Sequence, residues 1–261
     1  MKIVNDIINA MESLAPTFLK EDFDNVGLMV GDKNKVVNKV LLALDCTMEV
    51  IEEAKKEKVD LIITHHPLIF RKPSNITTDT LQGKKIIELI KNDISLYSSH
   101  TNLDSVENGL NHTIVSMLGF DNSTLLEKNK SLNTAGLGRI VDLEKELNLE
   151  SLIEQVKSKL NINNLRVVRG TDTVSKIAII NGSGQDFIGK AMSLGVDTVI
   201  TGDTTYHFAS DYKEMGINIL DVGHFASEQI VFFKVMTQIE SMFNNVIFIR
   251  SSVEEDPFTF E

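Results

Sequence analysis

A strand–helix–strand unit occurs twice in this chain. Residues Lys39 to Thr64 align without a gap with Lys176 to Thr201, a displacement of 137 positions. Lys39 matches Lys176, Ala54 matches Ala191, Val59-Asp60 matches Val196-Asp197 and Ile63-Thr64 matches Ile200-Thr201. In the first copy an apolar run, Val40 to Leu44, leads through a helix-periodic stretch, Met48 to Lys58, into a second apolar run, Leu61 to Thr64. Short apolar runs bounded by turn signals read as buried strands. Two strands joined by a helix pair in parallel with a right-handed crossover. The duplication therefore predicts an α/β fold of two related lobes, with strand ends facing a shared cleft.

Strand after strand stops at a metal-capable side chain. Leu61-Ile62-Ile63-Thr64 is followed by His65-His66-Pro67, and Ile94 to Ser99 by His100, with Asp104 four residues on. Thr198 to Gly202 ends at Asp203, with His207 close behind, and Ile217 to Gly223 ends at His224, with Glu228 four residues on. Within the repeat His65-His66 falls opposite Gly202-Asp203, and His100 with Asp104 falls opposite His224 with Glu228. Of six histidines only His112, inside a helix expected over 108–118, lies away from this pattern.

If His224 opens the apolar helix that follows, His224 and Glu228 share one face a turn apart. His65, His66, Asp104, His224 and Glu228 then offer three nitrogens and two carboxylates. That mixture suits Zn, Mn, Fe or Co rather than Ca or Mg, which prefer oxygen shells. Five ligands exceed the three that an open zinc site uses, and a carboxylate can bridge two ions, so the set fits two divalent metals per chain. Asp203 and His207 are candidates to ligate metal, orient a ligand or move a proton, and His100 to do the same, holding Asp104 or a bound water through a hydrogen bond. Asp45, at the end of the first strand, is a further polar candidate. Asn181-Gly182-Ser183-Gly184 is a Gly-rich strand-to-helix turn. It lacks the Walker lysine and the dinucleotide fingerprint, so tight-turn geometry accounts for it.

A formal net charge of −11 disfavours general nucleic-acid binding, since no broad field attracts a phosphate backbone. No apolar run reaches membrane-spanning length, and the amino terminus lacks a signal-peptide stretch. With Cys46 as the one cysteine, no intrachain disulfide can form, and a cytoplasmic location is expected. Cys46 is read as a packing residue rather than a nucleophile. Val4, Ile7, Ile8, Met11, Leu14 and Ala15 predict an opening helix ended by Pro16, and Leu149 to Leu160 an amphipathic one. The organisation expected is a first lobe over 1–120, a polar connection over 121–135 and a second lobe over 136–261. Strands are also expected over 137–141 and 165–170.

Several segments together resemble the Nif-three-like family, which includes YbgI-type proteins and whose members often carry the label GTP cyclohydrolase 1 type 2-like. They are Glu21-Asp22-Phe23-Asp24-Asn25-Val26-Gly27-Leu28, Ile63-Thr64-His65-His66-Pro67, Ser99-His100-Thr101-Asn102-Leu103-Asp104, Thr201-Gly202-Asp203 and Gly223-His224-Phe225-Ala226-Ser227-Glu228. The match runs the length of the chain in order. Phe23 stands where many relatives have tryptophan. The resemblance implies a dinuclear metal centre on the same five ligands and a toroidal homohexamer. It also implies the compact form of the family, because residues 121–175 leave no room for a large inserted domain. The activity implied is metal-dependent hydrolysis of a nucleotide-like small molecule. The alternative is a non-enzymatic protein for metal delivery, storage or regulation, and a scaffold with structural metals is a third reading.

Overall fold

Asp60 and Asp197 occupy the same place in the two copies and do the same work. Each lies between helix and second strand and ties the start of the first strand. Asp60 Oδ2 accepts from the N–H groups of Asn38 and Lys39 at 2.8 and 3.1 Å; Asp197 Oδ2 accepts from Ser175 and Lys176 at 2.8 and 3.1 Å. Their own N–H groups donate to Lys39 O and Lys176 O at 2.9 and 3.1 Å. The preceding helices end in left-handed residues at matching positions, Lys58 (φ 56°) and Gly195 (φ 80°). Val40 faces Leu61 in one copy and Ile177 faces Thr198 in the other, so the register repeats too.

The computed structural model describes residues 1–259. It divides into two units, Met1–Leu103 with Phe232–Pro257, and Asp104–Val231 with residues 258–259. The first holds a five-stranded sheet in the order Ile247–Arg250, Lys39–Ala43, Leu61–Thr64, Ser95–Ser98, Gly27–Val30. Its first four strands are parallel and Gly27–Val30 is an antiparallel edge. Helices Met48–Glu57 and Leu81–Lys91 bury Val50, Ile51, Ala54, Ile86 and Leu89 against Leu41, Ile62 and Leu96. Thr47 starts the first of these helices by accepting from Val50 N–H, and Thr80 the second by accepting from Gly83 N–H. Ile62 is fully buried, and its truncation to alanine is expected to cost about 2–5 kcal/mol.

The second unit holds a six-stranded sheet in the order Thr124–Lys128, Gly136–Asn148, Thr173–Ser183, Thr198–Gly202, Asn218–Asp221, Arg166–Val168. Its central three strands are parallel and the flanking pairings antiparallel. Ala178, Ile180, Val199 and Ile219 pack with Ile188, Ala191 and the partly buried Tyr212.

Three expectations need correction. Residues 121–135 are not a bare connection. Thr124–Lys128 is a strand paired with Gly136–Asn148, held by burying Leu126 in the core that contains Ile140. The strand expected over 137–141 runs instead from Gly136 to Asn148. The first unit ends at Leu103 rather than 120, and it regains Phe232–Pro257 because Ile247–Arg250 pairs with Lys39–Ala43. Among the described residues no helix is long and apolar enough to cross a membrane.

Candidate metal centre

The parallel strands Leu61–Thr64 and Ser95–Ser98 bring His65, His66 and His100 together just past their ends. One nitrogen from each of the three lies within 4.8 Å of the others, a group able to hold a metal ion. The ring centroids are 5.1 Å apart for His65–His66, 5.1 Å for His65–His100 and 5.6 Å for His66–His100. His100, expected outside the five-ligand set, is thus placed as close as the two expected ligands.

The Nδ1 atom of each ring is held. His65 Nδ1 lies 2.9 Å from the carbonyl oxygen of Ser99, which can only accept, so Nδ1 carries the hydrogen and Nε2 the lone pair. His66 Nδ1 lies 3.0 Å from Asp45 Oδ1, and His100 Nδ1 2.9 Å from Asp24 Oδ1. A ring whose Nδ1–H donates to an oxygen, leaving Nε2 to ligate, is the usual state of a metal-binding histidine.

Asp24 is buried, and burial alone would raise its carboxyl. The hydrogen bond and charge of His100, with the Thr101 hydroxyl (2.5 Å) and N–H (3.1 Å), hold it down to about 2. Behind Asp45, Glu254 accepts from the N–H groups of Leu44 and Asp45 at 2.9 and 2.8 Å. Burial raises the Glu254 carboxyl above its ordinary value, against those two hydrogen bonds. Cys46, beside Asp45, is buried, and burial pushes its thiol up to about 12. A thiol so protonated is no nucleophile, in line with the packing role expected for it.

In the second unit His224 does open a helix, His224–Glu240, and Glu228 lies one turn on. His224 Nδ1 is 2.7 Å from Asp203 Oδ2, and His224 Nε2 is 3.0 Å from Glu228 Oε2. With Nδ1 donating to Asp203, Nε2 and the carboxylate present two acceptors to one another. A proton on the ring or a cation shared by both groups satisfies that arrangement. Asp203 follows the strand Thr198–Gly202 with φ 55°, a left-handed conformation that aspartate adopts more readily than most side chains.

Asp104 and Glu228 are 7% and 3% exposed. The amide nitrogen of Asn181, near the end of Thr173–Ser183, lies 2.9 Å from Asp104 Oδ1 and 3.1 Å from Glu228 Oε1. Burying two carboxylates is costly without positive charge nearby. Arg139 supplies part of it. Burial pushes its guanidinium down to about 10, against the opposing pull of Glu107 and Asp104. Gly182 has φ 58°, and a Cβ there would stand 2.3 Å from Glu228 Oε1. The Gly-rich turn is therefore tight for a reason beyond backbone geometry: Glu228 packs against it.

His207 lies on the helix Tyr206–Glu214, exposed, with its ring edge-on to Tyr206. His112 sits in the helix Leu110–Met117, as expected. Sequence reasoning passed over Asp24, Asn181 and Glu254. Asp24 lies inside the Asp-Phe-Asp-Asn segment that carried the family resemblance, which was its available signal. Asn181 was hidden in a segment read only as a turn. Nothing in the sequence distinguishes Glu254 from the other acids of the carboxy-terminal stretch.

The family model described as Duf34/NIF3 (NGG1p interacting factor 3) matches residues 2–257. A Clostridium perfringens protein called GTP cyclohydrolase 1 type 2 homolog is 58% identical over 98% of this chain and 99% of its own length. The crystal structure of a Bacillus cereus protein related to NIF3 superposes with a TM-score of 0.91 at 28% identity, covering 100% of this chain and 99% of that one. Reduced HcgD from Methanocaldococcus jannaschii superposes with a TM-score of 0.84 at 32% identity, covering 96% and 98%.

Proposed function

This chain belongs to the Duf34/NIF3 family, and from that premise we propose that it binds two divalent metal ions per chain and uses them in hydrolysis of a nucleotide-like small molecule. The ligands proposed are His65 and His66 in the first unit and Asp104, His224 and Glu228 in the second. The metals proposed are drawn from Zn, Mn, Fe and Co. The observation that carries this reading is the state of the histidines. His65, His66 and His224 each have Nδ1 on an oxygen acceptor, the arrangement that orients Nε2 for metal ligation. The buried carboxylates Asp104 and Glu228 favour the same reading, because a dication offsets the cost of burying them.

Bound divalent ions supply Lewis acidity and ionise water near neutral pH. The chain's own groups set the stage for that chemistry. Asp45 and Asp24 orient His66 and His100, and Asp203 orients His224. Asp203 therefore acts through His224. His207 is the group assigned to proton transfer at the substrate, since its ring is exposed and lies outside the ligand set. The nucleotide-like substrate rests on the name carried by relatives such as the Clostridium perfringens protein. Self-association into a toroidal homohexamer rests on family resemblance, and light scattering that returns a monomer mass at micromolar concentration would exclude it.

The test is metal content and GTP turnover on the same preparations of wild type, His207→Ala and Asp203→Asn. His207→Ala is expected to keep its metal and lose most turnover. Asp203→Asn is expected to weaken turnover and to loosen metal binding in part, because Asp203 orients the ligand His224. If wild type loaded with each candidate metal turns over no nucleotide, the hydrolase reading falls. Non-enzymatic metal handling then becomes the account.

A further inference from the structure

We propose that Asn181 is a positioning residue that holds the carboxylate ligands Asp104 and Glu228 in one fixed arrangement without neutralising them. The inference rests on the metal-binding reading above and assigns a role to a residue outside the ligand set.

The geometry is specific. An amide nitrogen carries two hydrogens, and here each has its own carboxylate, Asp104 Oδ1 at 2.9 Å and Glu228 Oε1 at 3.1 Å. The amide cannot face the other way, because Oδ1 would then meet two carboxylate oxygens. In the orientation it takes, Asn181 Oδ1 is buried with no hydrogen-bond partner among the described residues. An unsatisfied buried acceptor is a cost that native proteins seldom carry. It is tolerated here because the two hydrogens on the other atom are both in use.

The main chain is pinned to the same elements. Asn181 N–H donates to Asn111 Oδ1 at 3.1 Å, and Asn111 Nδ2 donates to Asp104 O at 3.3 Å. Gly182 N–H donates to Ser227 Oγ at 2.9 Å, which donates to His224 O at 2.8 Å. The strand end therefore grips both helical segments that bear the carboxylates.

Chemistry selects the amide. Lysine or arginine would bring a full charge and compete with a dication for the same oxygens. A hydroxyl has one hydrogen and serves one carboxylate. The duplication adds a control, since the residue at the matching position of the first copy is Leu44, buried to 1% exposure in the core. The same backbone thus accepts leucine where no carboxylates need holding.

The experiment compares wild type, Asn181→Leu, Asn181→Ser, Asn218→Leu and Asp104→Asn by Co(II) affinity and by the visible absorption of the Co(II)-loaded protein. Circular dichroism confirms folding. Asn181→Leu is expected to bind Co(II) on the order of 10–100-fold more weakly, with altered absorption bands. Asn181→Ser, which keeps one donor, should fall between. Asn218 is a buried amide of the same sheet whose partners are Thr171 and Thr198. Asn218→Leu should lower the melting temperature and leave the Co(II) bands as they are. If Asp104→Asn binds Co(II) as wild type does, the ligand reading itself fails. If Asp104→Asn weakens binding while Asn181→Leu leaves affinity and bands unchanged, the role given to Asn181 is wrong. Should Asn181→Leu not fold, Asn181→Ser decides, and wild-type affinity in that variant overturns the proposal.

Discussion

The two units share a repeated scaffold and differ at its tips. In the first, the strand ends carry imidazoles, His65, His66 and His100, and the carboxylates Asp45 and Asp24 stand behind two of them. In the second, carboxylates Asp104 and Glu228 come forward, and a neutral amide, Asn181, stands behind them. His224 keeps the first pattern, with Asp203 behind it. Carboxylates stand behind the tips in one unit and form the tips in the other, while Asp60 and Asp197 still tie their strands alike. The difference teaches that the scaffold's hydrogen bonds constrain the fold and that the tips are open to chemistry. The first unit thus offers nitrogen donors, and the second adds oxygen donors to the nitrogen of His224.

The sharpest break in this comparison is expected at Glu228. Glu228→Gln keeps the size and removes a charge. It should lose at least one metal ion while circular dichroism stays as in wild type. Unchanged metal content would remove Glu228 from the ligands.

Next comes Gly182. Gly182→Ala introduces a Cβ at 2.3 Å from Glu228 Oε1 and forces a left-handed alanine. The backbone term alone is worth about 1–2 kcal/mol. Displacement of Glu228 should weaken metal binding as well, read by chelator competition. Asp45 holds the matching place in the first copy, so Asp45→Ala should instead loosen His66 without a steric penalty.

Asp60→Asn and Asp197→Asn probe the shared scaffold. Each weakens two charge-assisted bonds to backbone N–H groups, so each should destabilise by roughly 1–3 kcal/mol in urea unfolding. If one variant is several times more costly than the other, the equivalence of the two copies does not extend to energetics.

The smallest effect is in acid. Asp24 is held down to about 2, below the ordinary range of an aspartate, so its folded form resists protonation more than the unfolded chain does. The stability this contributes is present above about pH 4 and is lost as pH falls through 2. Asp24→Asn should flatten that limb of an acid-unfolding curve recorded by far-ultraviolet circular dichroism. An unchanged limb would mean that the pairing with His100 and Thr101 contributes nothing to the fold.

Much of this was legible in the sequence. The repeat was visible because Val59-Asp60 and Val196-Asp197 perform an identical local task, and local tasks leave local signatures. The amphipathic helix Leu149–Leu160 fell where periodicity put it, and the apolar helix of the second half does open at His224. The return of Ile247–Arg250 to the first sheet was not legible, because strand pairing across some two hundred residues leaves no periodic trace. The strand Thr124–Lys128 was missed because a polar surrounding hid one buried leucine, Leu126. The ligand candidates stood out as histidines at strand ends. Their supports did not, since Asp24 and Asn181 are ordinary residues until a neighbour 76 or 77 positions away gives them a role.

The account stands on the claim that both kinds of tip take metal. Metal content of wild-type protein, purified without chelator and titrated to saturation, tests it most directly. Two divalent ions per chain is the predicted stoichiometry; saturation at one, or none retained, would contradict it.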